Sequence, residues 1–194
     1  MTKSAAIRRP RADAERNRKR IIEAAVEAFR EEGFDVSVAE IARRAEVGSG
    51  TLFRNFPTKN DLVVAIVEMH MERWLDVVSA AIEAEDHAAS FDKFFAEAVR
   101  FNYNDRGMLE AAREGLFDLP DLYDCKSRAL DRTGELLALA RSAGAVRDDI
   151  TTDDLYALAT GAAESAKVAV REREEAPASA MSRYVEIVLA GLRP

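Results

Sequence analysis

Residues 48–55 (GSGTLFRN) hold the side chains best suited to chemistry at a charged, hydrogen-bonding surface. Arg54 carries a planar fork of N–H donors, and Asn55 pairs a donor with an acceptor. Those are the geometries that read guanine and adenine edges in a DNA major groove. Gly48 and Gly50 let the backbone come close to a neighbouring surface, while Ser49 and Thr51 put short hydroxyls where helix-start amides favour anions. Ser37 upstream and Lys59 downstream are spaced to hold phosphates on either side. Catalytic chemistry is scarce elsewhere. His70 and His87 lie far apart in sequence and are expected on helix surfaces, and Cys125 is expected to be a small half-buried hydrophobe. There is no metal-spaced His/Cys cluster, no phosphate-binding glycine loop and no Ser-His-Asp set. The expectation is a protein that is not an enzyme and needs no metal or cofactor.

Such readers need a rigid frame. A first helix is expected over 13–32, with Ile21, Ile22, Ala25, Val26 and Phe29 on one apolar stripe. Gly33 stands where a left-handed residue ends a helix, and Phe34 can then fold back onto it. Ser37 is an N-cap, Glu40 follows three residues later to close a capping box, and Val36 staples to Ile41. A second helix therefore spans 38–45. The turn Glu46-Val47-Gly48 follows, and a third helix runs over 49–56 until Pro57 ends it. Thr58 caps a fourth helix, with Asp61 in its first turn to complement the dipole. Ile41, Ala42, Ala45, Val47, Leu52 and Phe56 supply the small or apolar contacts between the two short helices. Two short helices across a tight turn form a helix-turn-helix, which lays its second helix in the major groove. The same spacing also occurs in bundles that never touch DNA. The capping box, the Gly-Ser-Gly-Thr start, the proline stop and the basic N-terminal arm together favour the DNA-binding reading.

The string VSVAEIARRAEVGSGTLFRNFPTKNDL resembles the signature of the TetR family of bacterial regulators, and the close match covers about residues 16–66. The resemblance implies an N-terminal three-helix DNA-binding domain and an all-helical C-terminal domain that binds a small ligand and dimerises. It implies that Ser37 contacts phosphate, and that Thr51, Phe53, Arg54 and Asn55 lie in or beside the major groove. Lys59 would pair with the DNA backbone, and Leu52 and Phe56 would be core. Where the family has glycine in the turn, this chain has Glu46, at a position expected to need positive φ.

Beyond the fourth helix, expected over 59–85 with Leu62, Ile66, Met69, Trp74 and Val77 at helical spacing, further helices are expected at 90–104, 108–116, 122–143, 152–173 and 178–192. Gly107, Asp118-Leu119-Pro120, Gly144 and Glu175-Ala176-Pro177 mark the breaks. Aromatic residues collect in this part. Trp74, Phe94, Phe101, Met108, Leu109, Phe117 and Tyr123 either line a cavity for a largely apolar, planar or cyclic ligand, or fill a core. Glu164 either orients that ligand or pairs with Lys167. Residues 155–170 are rich in Ala and Gly, and Tyr184, Val185, Ile187, Val188, Leu189 and Leu192 make the final helix apolar on more than one side. These helices either form a four-helix dimer interface or close the monomer core.

Composition agrees with an all-α chain: among 194 residues there are only 9 Gly and 5 Pro, and no apolar run is long enough for a membrane span. One cysteine and no signal-peptide core fit a reducing bacterial cytoplasm. The net charge of −7 is unevenly distributed. Residues 1–60 carry 13 Lys/Arg against 9 Asp/Glu, whereas the remainder carries 15 against 26. The expected organisation is a basic arm over 1–12, a helix-turn-helix domain over 13–58, and a ligand-binding and dimerisation domain over 59–194. Lys3, Arg8, Arg9 and Arg11 of the arm, with Arg16, Arg18, Lys19 and Arg20 after it, either follow DNA or form a solvated tail. The partners expected are a double-stranded operator, a small effector and a second copy of the chain, with no membrane. The rival reading is a helical small-molecule-binding protein or enzyme whose N-terminal helices bind protein.

Overall fold

A computed structural model describes residues 10–104, 115 and 119–194, and every regular element among them is helical. The helices are α1 (Pro10–Glu32), α2 (Val38–Arg44), α3 (Ser49–Asn55), α4 (Lys59–Ile82), α5 (His87–Asn104), α6 (Tyr123–Ser142), α7 (Thr152–Arg173) and α8 (Pro177–Leu192). Short 3-10 turns occupy Gly33–Asp35 and Pro120–Leu122. The chain forms two compact units that divide after Ile66, within α4. The helix expected at 108–116, the side chain of Phe34 and the basic side chains of the arm lie outside the described residues. Residues 10–12, the end of the expected arm, are helical as part of α1, and proline is tolerated in a first helical turn.

In the first unit, Ile21, Ala25, Ala28 and Phe29 of α1 are buried with Val36, Ile41, Ala42, Leu52 and Phe56. Gly33 at φ 73 closes α1, as its place in the sequence requires. Ser37 Oγ accepts the Glu40 N–H at 3.1 Å and caps α2. The Glu40 carboxylate does not complete the capping box. It accepts from Arg43 at 2.7 and 2.8 Å and from Arg44 at 2.9 Å, because two guanidinium groups one turn along outcompete a neutral backbone N–H. Arg44 also bonds Glu31 at 2.7 Å and Glu32, so one half-buried guanidinium ties the end of α1 to α2. These hydrogen bonds from Arg43 and Arg44 hold the Glu40 carboxyl down at about 2, below its ordinary 4.5. The reciprocal box appears instead at α4. Thr58 donates its N–H and hydroxyl to Asp61 at 2.8 and 2.7 Å, and Thr58 Oγ accepts the Asp61 N–H at 3.1 Å.

The second unit is built on Val78 of α4, Phe91, Phe95 and Val99 of α5, and Leu136, Leu137 and Ala140 of α6. α7 packs in through Leu155, Ala159, Ala162 and Ala163, and continues the buried stripe with Ala166 and Ala169. A face of methyl groups lets α7 lie close to its neighbours. Thr151 and Asp154 repeat the reciprocal cap at the start of α7, at 2.8, 2.7 and 3.1 Å. Gly144, at φ 68, turns the chain after α6. Arg193 closes the far end by bonding Asp92 at 2.7 and 2.8 Å and Ala145 O at 2.9 Å. His70 departs from expectation. It is only 3% exposed, since it continues the inward stripe of α4 through Val67, Trp74 and Val78.

Candidate functional site

The helix-turn-helix is set by a tight, internally bonded turn. Glu46 N–H donates to Arg43 O at 3.1 Å and Val47 N–H to Ala42 O at 3.0 Å. Closing the turn this way puts Glu46 at φ 52, in the left-handed region expected for that position. Its carboxylate meets Arg20 of α1 at 2.7 Å, a bond that no local sequence signal announces. Leu52 and Phe56 anchor α3 inward, and Arg18 lies over the Phe56 ring at 4.6 Å from its centroid. The opposite side of α3 presents Ser49, Gly50, Phe53 and Arg54, all exposed. With Leu52 and Phe56 fixing the helix rotation, this outward set follows from the 3.6-residue period.

Each of the residues singled out from the sequence has a definite place. Arg54 Nε donates to Gly50 O at 3.0 Å and its Nη to Thr51 Oγ at 3.2 Å, so the guanidinium lies along its own helix. Asn55 is half-buried and donates to Thr51 O at 2.8 Å, which commits one of its amide hydrogens to the helix. Gly48, at φ −69, precedes Ser49 as the first residue outside α3. Ser37 Oγ is engaged as the α2 cap. Lys59 is half-buried; its Nζ donates to Val36 O at 3.1 Å and lies 5.8 Å from the Phe29 ring centroid. It therefore holds the start of α4 against the segment leading into α2.

In the second unit, several aromatic candidates come together. The Trp74 ring lies 4.8 Å from Phe94 and 6.5 Å from Phe101, centroid to centroid. His70 meets Phe101 edge-on at 5.3 Å, and Phe91 lies 6.2 Å from Phe94. Trp74 Nε1 donates to Thr133 Oγ at 3.4 Å, and Thr133 in turn donates to Ala129 O at 2.8 Å. His70, Phe91 and Thr133 were not singled out as site residues. Helical spacing along α4, α5 and α6 carries the signal, since Thr133 stands on the buried stripe of Ala129, Leu136 and Leu137. Tyr123 is 57% exposed in the first turn of α6. Met108, Leu109 and Phe117 lie outside the described residues. Glu164 pairs with Lys167 at 2.9 Å, and Lys167 Nζ also reaches Asn102 O at 3.4 Å and the Tyr103 ring.

On α8, Val185 and Leu192 are buried within the chain's own core, packed with residues of α5, α6 and α7. Of the two roles open to this helix from the sequence, these two side chains take part in closing the core of the single chain. Tyr184, Val188 and Leu189 are half-buried, while Ile187 on α8 and Tyr156 and Val168 on α7 are exposed. Cys125 is buried with its thiol on Leu122 O at 3.2 Å, and burial pushes its pKa up. Among the described residues no group of His, Cys, Asp or Glu is placed to hold a metal ion, and no helix is long and apolar enough to cross a membrane.

A capped helix-turn-helix followed by an all-helical unit defines a class of transcription regulators, and comparison with known proteins specifies it. Residues 86–194, more than half the chain, match the family described as "Transcriptional regulator SbtR-like, C-terminal domain". Residues 21–66 match "Bacterial regulatory proteins, tetR family". The chain is similar to the crystal structure of a TetR transcription regulatory protein from Mycobacterium vanbaalenii, with 34% identity, 95% of this chain and 99% of that chain covered, and a TM-score of 0.67. A TetR transcriptional regulator from Streptomyces coelicolor shows 32% identity over 91% of this chain and 98% of that chain, with a TM-score of 0.65. An HTH-type transcriptional regulator from Staphylococcus aureus (strain USA300) is 40% identical over 63 residues, which are 32% of this chain and 34% of that protein. The match thus spans about a third of the length of such curated relatives. The chain belongs to the TetR family of bacterial transcriptional regulators.

Proposed function

We propose that this regulator is a ligand-responsive repressor that binds a near-palindromic operator as a dimer and is released by a small, largely apolar molecule. The observation that carries the reading is the outward face of α3, where Ser49, Gly50, Phe53 and Arg54 stand exposed on a helix whose other face is locked into the core. Thr51 and Asn55 flank that face, Gly48 leads into it, and Ser37 and Lys59 stand on either side as phosphate contacts once the local bonds of the free protein exchange. Two copies would set their recognition helices roughly 34–36 Å apart, one DNA turn.

For the dimer, the exposed Tyr156, Val168 and Ile187 together with the half-buried Tyr184, Val188 and Leu189 supply the apolar surface. For the effector, the group Trp74, Phe94 and Phe101 favours a planar or cyclic apolar molecule, and His70 and Thr133 put polar atoms beside the rings. Met108, Leu109, Phe117, Tyr123 and Glu164 remain candidates for the same ligand. Coupling would run through α4, which gives residues 59–66 to one unit and 67–82 to the other. A strong response requires the ligand to favour the non-binding state by a few kcal/mol.

A gel shift with DNA from upstream of the chain's own gene tests the reading. Binding should be salt-sensitive and sequence-dependent, and Arg54→Ala should weaken it by about 1–3 kcal/mol if the guanidinium reads a guanine edge. Folded wild-type protein that binds no DNA in this manner would defeat the proposal. The emission of the single tryptophan, Trp74, reports ligands that enter beside it.

A further inference from the structure

Gly48 and Gly50 leave bare backbone at the start of α3, Gly48 as its N-cap, a position that favours glycine. Nothing lies within 4 Å of where a Cβ would stand on Gly48 or Gly50, and neither adopts positive φ. Glycine in a helix is less favourable than alanine, so Gly50 in the first turn of α3 weakens a helix without relieving any internal crowding. Gly50 thus leaves bare backbone on the exposed face of α3, where a neighbouring surface can approach closely. Phe53 and Arg54 follow Gly50 by three and four residues, which places all three on the same side of α3.

Phe53 is 52% exposed, and among the described residues of Met1–Ile66 it is the one large apolar side chain left in solvent. Its ring has neither donor nor acceptor, so it cannot bond a phosphate or a polar base edge. In a major groove the apolar feature within reach is the C5-methyl of thymine. Arg54 extends the same face with an exposed forked cation suited to guanine O6 and N7 once its bonds to Gly50 O and Thr51 Oγ exchange, whereas Asn55 is half-buried and gives an amide hydrogen to Thr51 O at 2.8 Å. The surroundings suit DNA, since Arg43 on α2 is exposed too and residues 1–60 carry 13 Lys/Arg against 9 Asp/Glu.

Resting on the DNA-binding reading above, we infer that Phe53 is a specificity-determining residue that reads a thymine methyl, with the Gly50 backbone giving the base room to approach and Arg54 reading a guanine beside it. Each operator half-site then contains a thymine whose methyl, and no other atom, is recognised by an apolar contact.

The test uses duplex operators enriched by the full-length wild-type protein from a random library, with each thymine replaced in turn by deoxyuridine, which removes only the methyl. Burial of one methyl corresponds to about fourfold in affinity, so one thymine position should show about fourfold weaker binding per half-site and about fifteenfold when both are replaced. Phe53→Ala should bind the thymine operator more weakly and no longer distinguish it from the uracil one. Gly50→Ala should melt at the wild-type temperature or above and yet bind the operator less tightly. Equal wild-type affinity for thymine and uracil at every position overturns the inference, as does a Phe53→Ala protein that keeps the wild-type ratio. Either result, obtained with salt-sensitive operator binding intact, leaves the DNA-binding reading standing. Enrichment of no sequence at all overturns both.

Discussion

Glu46→Gly removes a backbone penalty and a surface ion pair at once, and the structure allows the two to be weighed. At φ 52 a residue with a Cβ carries a penalty of roughly 1–2 kcal/mol that glycine lacks. Against this, glycine adds conformational freedom to the unfolded chain, which offsets roughly 0.5–1 kcal/mol of the gain. The bond to Arg20 is also lost. The Glu46 side chain is 82% exposed, so that pair contributes only a few tenths of a kcal/mol after screening. The balance lies between about zero and 1 kcal/mol in favour of glycine, or a rise in Tm of about 0–4 °C for a chain of this size. Glu46→Ala separates the terms, because it loses the same ion pair and keeps the strain. It should therefore melt below both the wild type and the glycine variant. Thermal and urea unfolding followed by circular dichroism would measure all three proteins. A glycine variant less stable than the alanine variant would refute the account of the turn.

Thr58→Ala should cost about 1 kcal/mol in urea unfolding, because the N-cap of α4 loses its side-chain acceptor, whereas Thr58→Ser should stay near wild type. Acid stability should reflect Glu40: its folded pKa of about 2 lies below the ordinary 4.5, so its contribution is present above about 4.5 and lost as pH falls toward 2. Urea midpoints taken across that range should fall less steeply for Glu40→Gln than for wild type, and matching slopes would contradict the assignment. Cys125 should react slowly with a thiol reagent in native protein and rapidly once unfolded, since burial both covers the thiol and raises its pKa; equal rates would show that the α6 start is open.

The elements that sequence made legible are those whose ends are written in side chains. Ser37, Gly33, Pro57, Thr58 and Gly144 each mark a start or stop that the structure places within a residue or two. α7, over Thr152–Arg173, agrees at both ends, and Thr151 and Asp154 form a local box at its start. Long-range competition was not legible. Glu40 has the spacing of a capping box, yet Arg43 and Arg44, three and four residues on, take its carboxylate; the part with no local trace is that Arg44 also bonds Glu31 and Glu32 of α1. The Arg20–Glu46 pair spans 26 residues and leaves no local trace. His70 misled for a related reason: its polarity suggests the surface, but the α4 stripe on which it stands points inward. On α3 the outward direction of Phe53 and Arg54 follows from the period. The return of Arg54 and Asn55 onto their own helix does not, because several rotamers fit the same spacing.

The alanine face of α7 also bears on how such a protein can change over generations. Ala159, Ala162, Ala163, Ala166 and Ala169 are buried against neighbouring helices, so each is already the smallest side chain that still favours a helix. Any larger replacement overpacks, at roughly 1–3 kcal/mol apiece, and glycine weakens the helix itself. Mutation is thus costly in both directions along the buried face of this helix. Positions of α7 that face solvent, such as Tyr156 and Val168, carry no such constraint from the core, so changes in this helix should collect there.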